Sequence, residues 1–600
     1  GMFLSKAIRL VAAFDHRHIF IDPDPDAARS WAERDRLFRL PRSSWDDYDR
    51  SLISKGGGIF PRSLKSIPLS AEMQALIGTA AATMEPTQLI SALLTARVDL
   101  LWFGGIGTYV KAAAQANAEA GDTANDRVRV DAEALRVKVI GEGANMGVTQ
   151  AARIAFALNG GRINTDFIDN SAGVDCSDNE VNIKIALGRD VAEGRLTADD
   201  RNTLLARMTD DVAHLVLEDN RLQALGLSIA EAGGAADVPT YVRLIEGLSK
   251  AGRLDRRVEG LPSDQELMRR AQDGQGLTRP ELAVLLATAK LSLQDAIEHN
   301  HLPEDPVTLS DLFNAFPTAM RENHRAGIEQ HQLRREIIAT EVANRIVNRI
   351  GIIPPLMLGE DEGFTLSDVA GAFMIAETLF DLPAIWVRAD AAEMDEAARI
   401  ALFRRLADAV TDHVRELCRL GAGTLSPTET IEALRPGVTA LLPRARAPDV
   451  EVLLTSEGVP EDLAVALGRL ERAAGVTGIA ELARRRASDP VGVADAAAEL
   501  GSALGLDWLM AAAAQFRPAD PWERLLVAGV ERDIQEMRLT FLARADDGAG
   551  LPAYVAAWVE RHAQAVAQFR ELVARARTGT ASAAMLAEVA SRARVLLHRA

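Results

Sequence analysis

Two short apolar segments, each followed at once by small and polar residues, constrain the fold of this chain more than any other feature. The first runs from Val137 to Ile140 and continues to Asn145; the second runs from Ile163 to Ile168 and continues to Ser177. Each has the composition of a buried strand whose end leaves backbone open to a ligand. In an open α/β sheet, ligands bind beyond the carboxyl ends of the strands. The sequence therefore predicts that these two strand ends form one ligand crevice.

The first 190 residues alternate predicted strands with predicted helices. The strands are predicted at 9–14, 98–103, 137–140 and 163–168, and the helices at 27–38, 86–95 and 149–158. Asp26 precedes the first of these helices as its cap, and Pro86 occupies the first turn of the second. Apolar strands separated by helical connections are typical of a parallel, doubly wound sheet. We therefore expect an α/β domain over residues 1–190.

The pattern changes after Asp178, and no strand is predicted from there to Ala600. Thr278 and Glu281 have the spacing of a capping box that opens an apolar helix at 282–291. A later helix is predicted to end at Gly351 and to be stopped by the two prolines that follow. Its apolar face is formed by Leu333, Ile337, Val342, Ile346 and Ile350. An all-helical region is expected over residues 191–600, with sub-boundaries near 352–363 and 435–449.

Composition and charge narrow the function classes. The formal net charge of −18 argues against nucleic acid or an anionic membrane as the main partner. Two cysteines provide neither a disulfide framework nor a cysteine-rich metal site, so no bound metal is expected. No apolar run approaches the roughly 18 residues of a membrane span. A soluble, cytoplasmic protein is expected.

An aspartate, a group of glycines and a cysteine each admit both a functional and a structural interpretation. Asp15 follows a predicted strand, where an acid can accept hydrogen bonds from a ribose but is more often a turn residue. Glycines at Gly104, Gly105 and Gly107 permit close approach of a ligand to the backbone, or merely a tight turn. Cys176 could be a nucleophile, but no base can be assigned to it, and a buried small thiol is the expected state.

A resemblance becomes specific at 142–145 and 170–177. Glu-Gly-Ala-Asn after a strand, followed by Asn-Ser-Ala-Gly-Val-Asp-Cys-Ser, resembles paired motifs of the amino-acid dehydrogenases. Longer strings resemble the large bacterial NAD-specific glutamate dehydrogenases; they lie at 14–20, 51–58, 99–110, 162–177, 276–286 and 333–350. The resemblance extends over the whole chain and weakens towards its end. It implies that the first domain is an incomplete, Rossmann-like NAD-binding domain.

The resemblance also implies roles for individual residues. Those expected to contact NAD are Asp15, Gly104, Gly105, Ile106, Gly143, Asn145 and Asn170. Within this set, Asp15 is expected at the adenosine ribose and Asn170 at the nicotinamide carboxamide. Gly104, Gly105 and Ile106 are expected beneath the cofactor, and Gly143 and Asn145 at the nicotinamide ribose. Ser177 is expected to bind a carboxylate of glutamate, and the neighbouring Ser171 departs from the alanine of smaller relatives.

The implied reaction is the oxidative deamination of L-glutamate to 2-oxoglutarate and ammonium by a homo-oligomer. Gly1–Ser5 resembles the tail of the helix that follows the glycine-rich turn of such domains. The chain is therefore expected to be a C-terminal fragment. No catalytic residue is expected within it, and it is expected to be inactive in isolation.

Two alternatives to this function stay open at the level of the sequence. The first is a dehydrogenase acting on leucine, valine or phenylalanine, because the residues that select the substrate are expected elsewhere. The second is a helical scaffold for oligomerisation or regulation, formed by residues 191–600.

Overall fold

The computed structural model describes residues 5–422, 425–445, 447–517, 521–545 and 550–598, and this structure is 67% helical. Four of the five residues of the expected helix tail, Gly1 to Leu4, lie outside these ranges. The chain divides into two units. The first comprises Gly1–Val238, Ile245–Thr288 and Phe316–Gly327, and the second comprises Pro239–Leu244, Ala289–Ala315 and Ile328–Ala600. The predicted division at residue 190 stays a prediction.

Nine short strands, β1 to β9, occur in the described part of the chain. In order they are Ala12–Phe14, His18–Ile21, Gly58–Pro61, Ile67–Pro68, Thr83–Met84, Leu100–Phe103, Val110–Lys111, Val130–Asp131 and Val139–Glu142. β1, β2 and β3 form an antiparallel sheet, and β4 pairs with β5 in the same sense. The pairs β6–β9 and β7–β8 are parallel.

Helices connect many of these strands and are the main elements in the rest of the described structure. Helices α1 to α14 are Ala27–Arg39, Ala71–Ile77, Pro86–Leu94, Gln150–Leu158, Asp166–Asp169, Ser171–Ala192, Ala198–Arg207, Thr209–Glu231, Val238–Lys250, Asp264–Gln272, Arg279–Glu298, Leu309–Asn314, Thr318–Asn323 and Arg325–Glu329. Helices α15 to α29 are Arg334–Ile350, Ile353–Glu362, Leu366–Leu379, Leu382–Ala391, Glu396–Arg419, Pro427–Leu441, Pro448–Ser456, Glu461–Arg472, Val476–Arg485, Pro490–Leu504, Leu506–Gln515, Pro521–Ala543, Leu551–Arg561, Ala563–Arg577 and Ala583–Leu597.

The predicted helices of the first unit are confirmed, and the first two begin at the residues that Asp26 and Pro86 predict. The Asp26 carboxylate accepts a hydrogen bond from the Arg29 N–H at 2.8 Å, so α1 begins where its cap predicts. Pro86 is the first residue of α3. The Thr149 hydroxyl accepts from the Ala152 N–H at 3.2 Å and caps α4. Side chains of α3, α4, β6 and β9 share one apolar core, which includes Ile90, Phe103, Ile140 and Ala152.

The predicted parallel strand at 9–14 is wrong in its pairing. β1 is shorter than predicted and runs antiparallel to β2, which follows after a three-residue turn. The Asp15 carboxylate accepts hydrogen bonds from the N–H groups of Arg17 and His18, each at 2.7 Å. This local bonding reverses the chain at once, whereas a parallel neighbour would need a long crossover.

The predicted strand at 163–168 is also wrong. Ile163 and Asn164 precede a single helical turn, α5, after which α6 continues to Ala192. The Asp169 carboxylate accepts the N–H of Glu142, the last residue of β9, and the Asp166 carboxylate accepts the N–H of Met146 in the segment that follows. A spacing of three residues places them on one face of a helical turn, whereas a strand would direct them to opposite faces.

The helical character of the later chain is confirmed: after Ala192, every element in the described ranges is a helix. The Thr278 N–H donates to the Glu281 carboxylate at 2.7 Å, and α11 begins at the next residue. Gly351 ends α15 as predicted, but the two prolines after it do not act as a stop. They lie in the first turn of α16, where a missing N–H costs no helical hydrogen bond.

No single helix among the described residues is long and apolar enough to cross a membrane. Helices α17 and α18 reach that length and apolar composition only when the two are taken together, and they are bent by 75° relative to each other. Phe373, Ile375 and Trp386 on these helices are buried within the protein. The apolar character of this pair is therefore explained by the core of the second unit.

Candidate active site

The parallel pair β6–β9 positions the central part of the candidate site. Phe103 lies opposite Glu142 at the ends of the two strands, and the Phe103 carbonyl accepts from the Ala144 N–H at 3.0 Å. The predicted residues Gly104, Gly105 and Ile106 follow β6 directly and are exposed, with Ile106 90% accessible. Two carboxyl strand ends therefore meet at one edge, but they belong to β6 and β9. The prediction that residues 163–168 supply the second strand end is wrong, because this segment leads into a helical turn.

Gly143 is required by a packing contact immediately after β9. A Cβ atom at this position would lie 2.3 Å from Cζ2 of Trp102, a distance that forces one of the two groups to move. At Gly105, by contrast, a Cβ atom would have no neighbour within 4 Å. The first glycine therefore keeps the strand end close to the indole, and the second leaves open space beside the backbone.

A side chain at position 143 is expected to destabilise the protein, because it would collide with Trp102. Gly143→Ala should lower the free energy of unfolding of the first unit by about 1–3 kcal/mol, because it overpacks the strand end against Trp102. Gly105→Ala is the matched control and should change it by less than about 0.5 kcal/mol. Urea denaturation followed by tryptophan fluorescence measures both; equal midpoints for the two variants would contradict the packing argument.

Asn145 and Asn170 are brought together although 25 residues separate them in the chain. The Asn170 side-chain amide donates a hydrogen bond to the Asn145 side-chain oxygen. Asn145 is exposed and Asn170 is half-buried at the junction of α5 and α6. Their amide groups thus present adjacent donors and acceptors at the open end of β9, a pattern suited to a planar amide or a hydroxyl group of a ligand.

A buried ion pair lies directly beneath this edge. Glu142, the last residue of β9, accepts from Arg153 Nε at 2.6 Å and from Arg153 Nη2 at 2.9 Å. The Val148 N–H is a third donor to the same carboxylate, at 3.1 Å. Burial raises the pKa of the Glu142 carboxyl, and the Arg153 guanidinium opposes this change. Because Arg153 Nε, Arg153 Nη2 and the Val148 N–H are all donors, Glu142 acts as an ionised acceptor.

Two aspartates of α5 hold the backbone around the same segment. Asp169 accepts from the Glu142 N–H at 2.9 Å, and Asp166 accepts from the Met146 N–H at 2.8 Å. Arg153 reaches Asp166 as well, at 3.2 Å. Burial raises the pKa of Asp169, while a hydrogen bond from Asn164 at 2.8 Å lowers it. The chain from 142 to 146 is therefore fixed at both ends by carboxylates.

The other predicted site residues form none of the hydrogen bonds described above around residues 142–146. Asp15 is the hairpin residue described above, and its carbonyl accepts from Arg62 at 2.8 Å. Ser177 lies on an exposed face of α6, about 9 Å along the axis from the first residue of that helix. Cys176 is exposed, so the expectation that it is a buried thiol is wrong.

Sequence reasoning missed the charged residues beneath the edge, although two signals pointed to them. Glu142 follows Val139 and Ile140 in an otherwise apolar strand, and Arg153 lies between Ala152 and Ile154 on an apolar helix. A lone charge in each of two adjacent buried elements indicates a partner, since unpaired charges are rarely buried.

Comparisons with known proteins cover most of the chain. Residues 1–230 match the family model "Bacterial NAD-glutamate dehydrogenase, catalytic domain", and residues 274–594 match "Glutamate dehydrogenase, C-terminal". The chain is also similar to proteins named NAD-specific glutamate dehydrogenase from three bacteria. The Mycobacterium tuberculosis protein is 43% identical over 593 residues, which are 95% of this chain and 36% of the relative. Those of Halomonas elongata and Pseudomonas aeruginosa are each 40% identical, over 90% and 99% of this chain and 34% and 38% of the relative. The chain thus spans about a third of the length of these relatives.

Proposed function

The chain belongs to the bacterial NAD-glutamate dehydrogenase family, and from this membership we propose that it forms the NAD-binding part of an enzyme for L-glutamate. The proposed reaction is oxidative deamination to 2-oxoglutarate and ammonium. The observation that carries the proposal is the meeting of Asn145 and Asn170 at the shared end of β6 and β9.

The residues at this edge fit a nicotinamide nucleotide. Asn145 and Asn170 offer amide donors and acceptors for the carboxamide and the adjoining ribose. Exposed Gly104 and Gly105 leave the backbone open to a flat ligand. Bound NAD supplies the chemistry by accepting hydride, and the protein contributes orientation and electrostatics.

Further parts of the proposal rest mainly on membership of the family. We infer that Asp15 meets the adenosine ribose, that Ile106 and Gly143 lie against the cofactor, and that Ser177 binds a carboxylate of glutamate. A Rossmann-like arrangement, a cytoplasmic location and a homo-oligomeric state belong to the same proposal. The parallel pairing of β6 with β9 supports the first of these, since parallel strands supply the ligand edge of such folds.

The decisive experiment measures turnover and cofactor binding in the full-length protein expressed from its gene. We expect glutamate-dependent formation of NADH, followed by its absorbance, and no comparable rate with leucine, valine or phenylalanine. Asn170→Ala should weaken NAD binding about tenfold in calorimetry, because it removes one or two hydrogen bonds to the ligand. The exposed Asn202→Ala is the control and should bind normally. Turnover of another amino acid in preference to glutamate would overturn the proposed substrate.

A further inference from the structure

We propose that Arg153 is a positioning residue for the cofactor: through Glu142 and Asp166 it sets the backbone of 143–145, and so the place of the Asn145 side chain. The inference rests on the proposed function, because it concerns the same edge. Arg153 itself is buried and points beneath that edge, so its action is through other residues.

The first step is the closure of the loop that follows β9. One oxygen of Glu142 accepts from both Arg153 Nη2 and the Val148 N–H, at 2.9 and 3.1 Å. The carboxylate thus joins the last residue of β9 to Val148, the sixth residue after it. Arg153 keeps this carboxylate in one rotamer, because its two parallel N–H groups match the two oxygens.

The second step is the conformation of Met146. This residue has φ of +64°, in the left-handed region that side chains other than glycine rarely adopt. Asp166 accepts the Met146 N–H at 2.8 Å and is itself held by Arg153 at 3.2 Å. The hydrogen bond offsets the cost of the unusual backbone, which is of order 1 kcal/mol or more. Asn145 immediately precedes Met146, so the direction of the Asn145 side chain depends on the hydrogen bond between the Met146 N–H and Asp166.

The third step links the two amides. Asp166 and Asp169 lie on α5, and Asn170 follows that helical turn directly, with its N–H donating to the Asp166 carbonyl at 2.8 Å. The element that holds the loop at Glu142 and Met146 is therefore the element that carries the partner of Asn145. Loss of the Arg153 fork should move one amide relative to the other.

Arg153→Lys tests this inference in the full-length protein, with Arg270→Lys as the matched control. Arg270 makes the same kind of buried fork with Glu281 in the same unit, at 2.9 and 3.2 Å. A lysine keeps the charge in both variants but cannot bond two oxygens in parallel. Both should therefore lose stability to a similar degree. Only Arg153→Lys should weaken NAD binding in calorimetry, and raise the KM for NAD with it, about tenfold, as expected for displacement of one hydrogen-bonding group.

A second pair of variants separates the hydrogen bond from the charge. Asp166→Asn retains an oxygen for the Met146 N–H and should leave the KM for NAD within about threefold, whereas Asp166→Ala should raise it about tenfold. Equal KM values for Arg153→Lys and Arg270→Lys, or an unchanged KM in Asp166→Ala, would overturn the inference. Absence of glutamate-dependent NADH formation in the unaltered protein would instead overturn the proposed function.

Discussion

Glu142→Ala is expected to lower the free energy of unfolding of the first unit by about 3–5 kcal/mol, because it leaves the Arg153 guanidinium buried without its main partner. Arg153 is 8% exposed and Glu142 is not exposed at all, so water cannot replace the missing carboxylate without opening the core. Asp166 remains, but at 3.2 Å it approaches only one nitrogen of the guanidinium.

Hydrogen exchange measured by mass spectrometry localises this loss. Peptides covering residues 137–158 should exchange faster in Glu142→Ala, because the opening free energy of β9 and α4 falls. Glu180→Ala is the control: Glu180 pairs with Lys184 on the exposed surface of α6, where an ion pair contributes at most about 1 kcal/mol. Unchanged exchange at 137–158 in Glu142→Ala would contradict the structural account of the pair.

The double variant Glu142→Leu with Arg153→Met addresses why the charges are present. Replacing both members of a buried pair by apolar side chains is often neutral for stability. If the pair serves position rather than stability, this variant should fold and yet bind NAD weakly. Normal binding by a stable double variant would argue against a positioning role.

Local sequence signals predicted those parts of the fold that depend on local physics. Asp26, Pro86 and Thr149 each mark a helix start, because caps and first-turn prolines act within one turn of the chain. The ends of β6 and β9 were also predictable, since an apolar run followed by glycine has few other structures.

Pairing and long-range contacts were not predictable in the same way. Residues 163–168 have an apolar content that suits a strand, but Asp166 and Asp169 form their bonds with 142 and 146, which lie more than 19 residues away. β1 is antiparallel to its neighbour because the Asp15 carboxylate forms hydrogen bonds within a tight turn. From the sequence, Asp15 could be either such a turn residue or a ligand of a ribose. In both segments the hydrogen-bond partners, and not the intrinsic strand propensity of the residues, determined the structure.

The second unit contains a different buried charge cluster, and its composition predicts an unusual pH dependence. Arg345 on α15 lies against Asp311 of α12 and Glu377 of α17, with Nε 2.7 Å from the Glu377 carboxylate. Arg349 pairs separately with Asp390 at 2.7 Å. Two carboxylates thus share one guanidinium, and burial raises the pKa of Glu377 from 4.5 to about 7.

Glu377 keeps its proton to a higher pH in the folded protein than in the unfolded chain. Between pH 4.5 and 7 the folded protein holds a proton on Glu377 that the unfolded chain has already lost. The associated stability is therefore fully present below pH 4.5 and is lost as the pH rises through 7. The loss should reach about 3 kcal/mol, at roughly 1.4 kcal/mol for each pH unit between the two values.

Glu377→Gln should remove this dependence, because the amide keeps the shape of the side chain and does not titrate. Relative to the unaltered protein, the variant should gain stability steadily from pH 4.5 to 7 and change no further above pH 7. Glu481→Gln is the matched control: hydrogen bonds from Arg484 lower the pKa of Glu481, so its contribution is lost only as the pH falls below 4.5, and this variant should keep a constant difference from the unaltered protein between pH 4.5 and 7. Urea midpoints of the second unit across this range measure both. Parallel profiles for Glu377→Gln and the unaltered protein would show that Glu377 does not hold a proton near neutral pH, and that Arg345 stabilises both carboxylates in their ionised form.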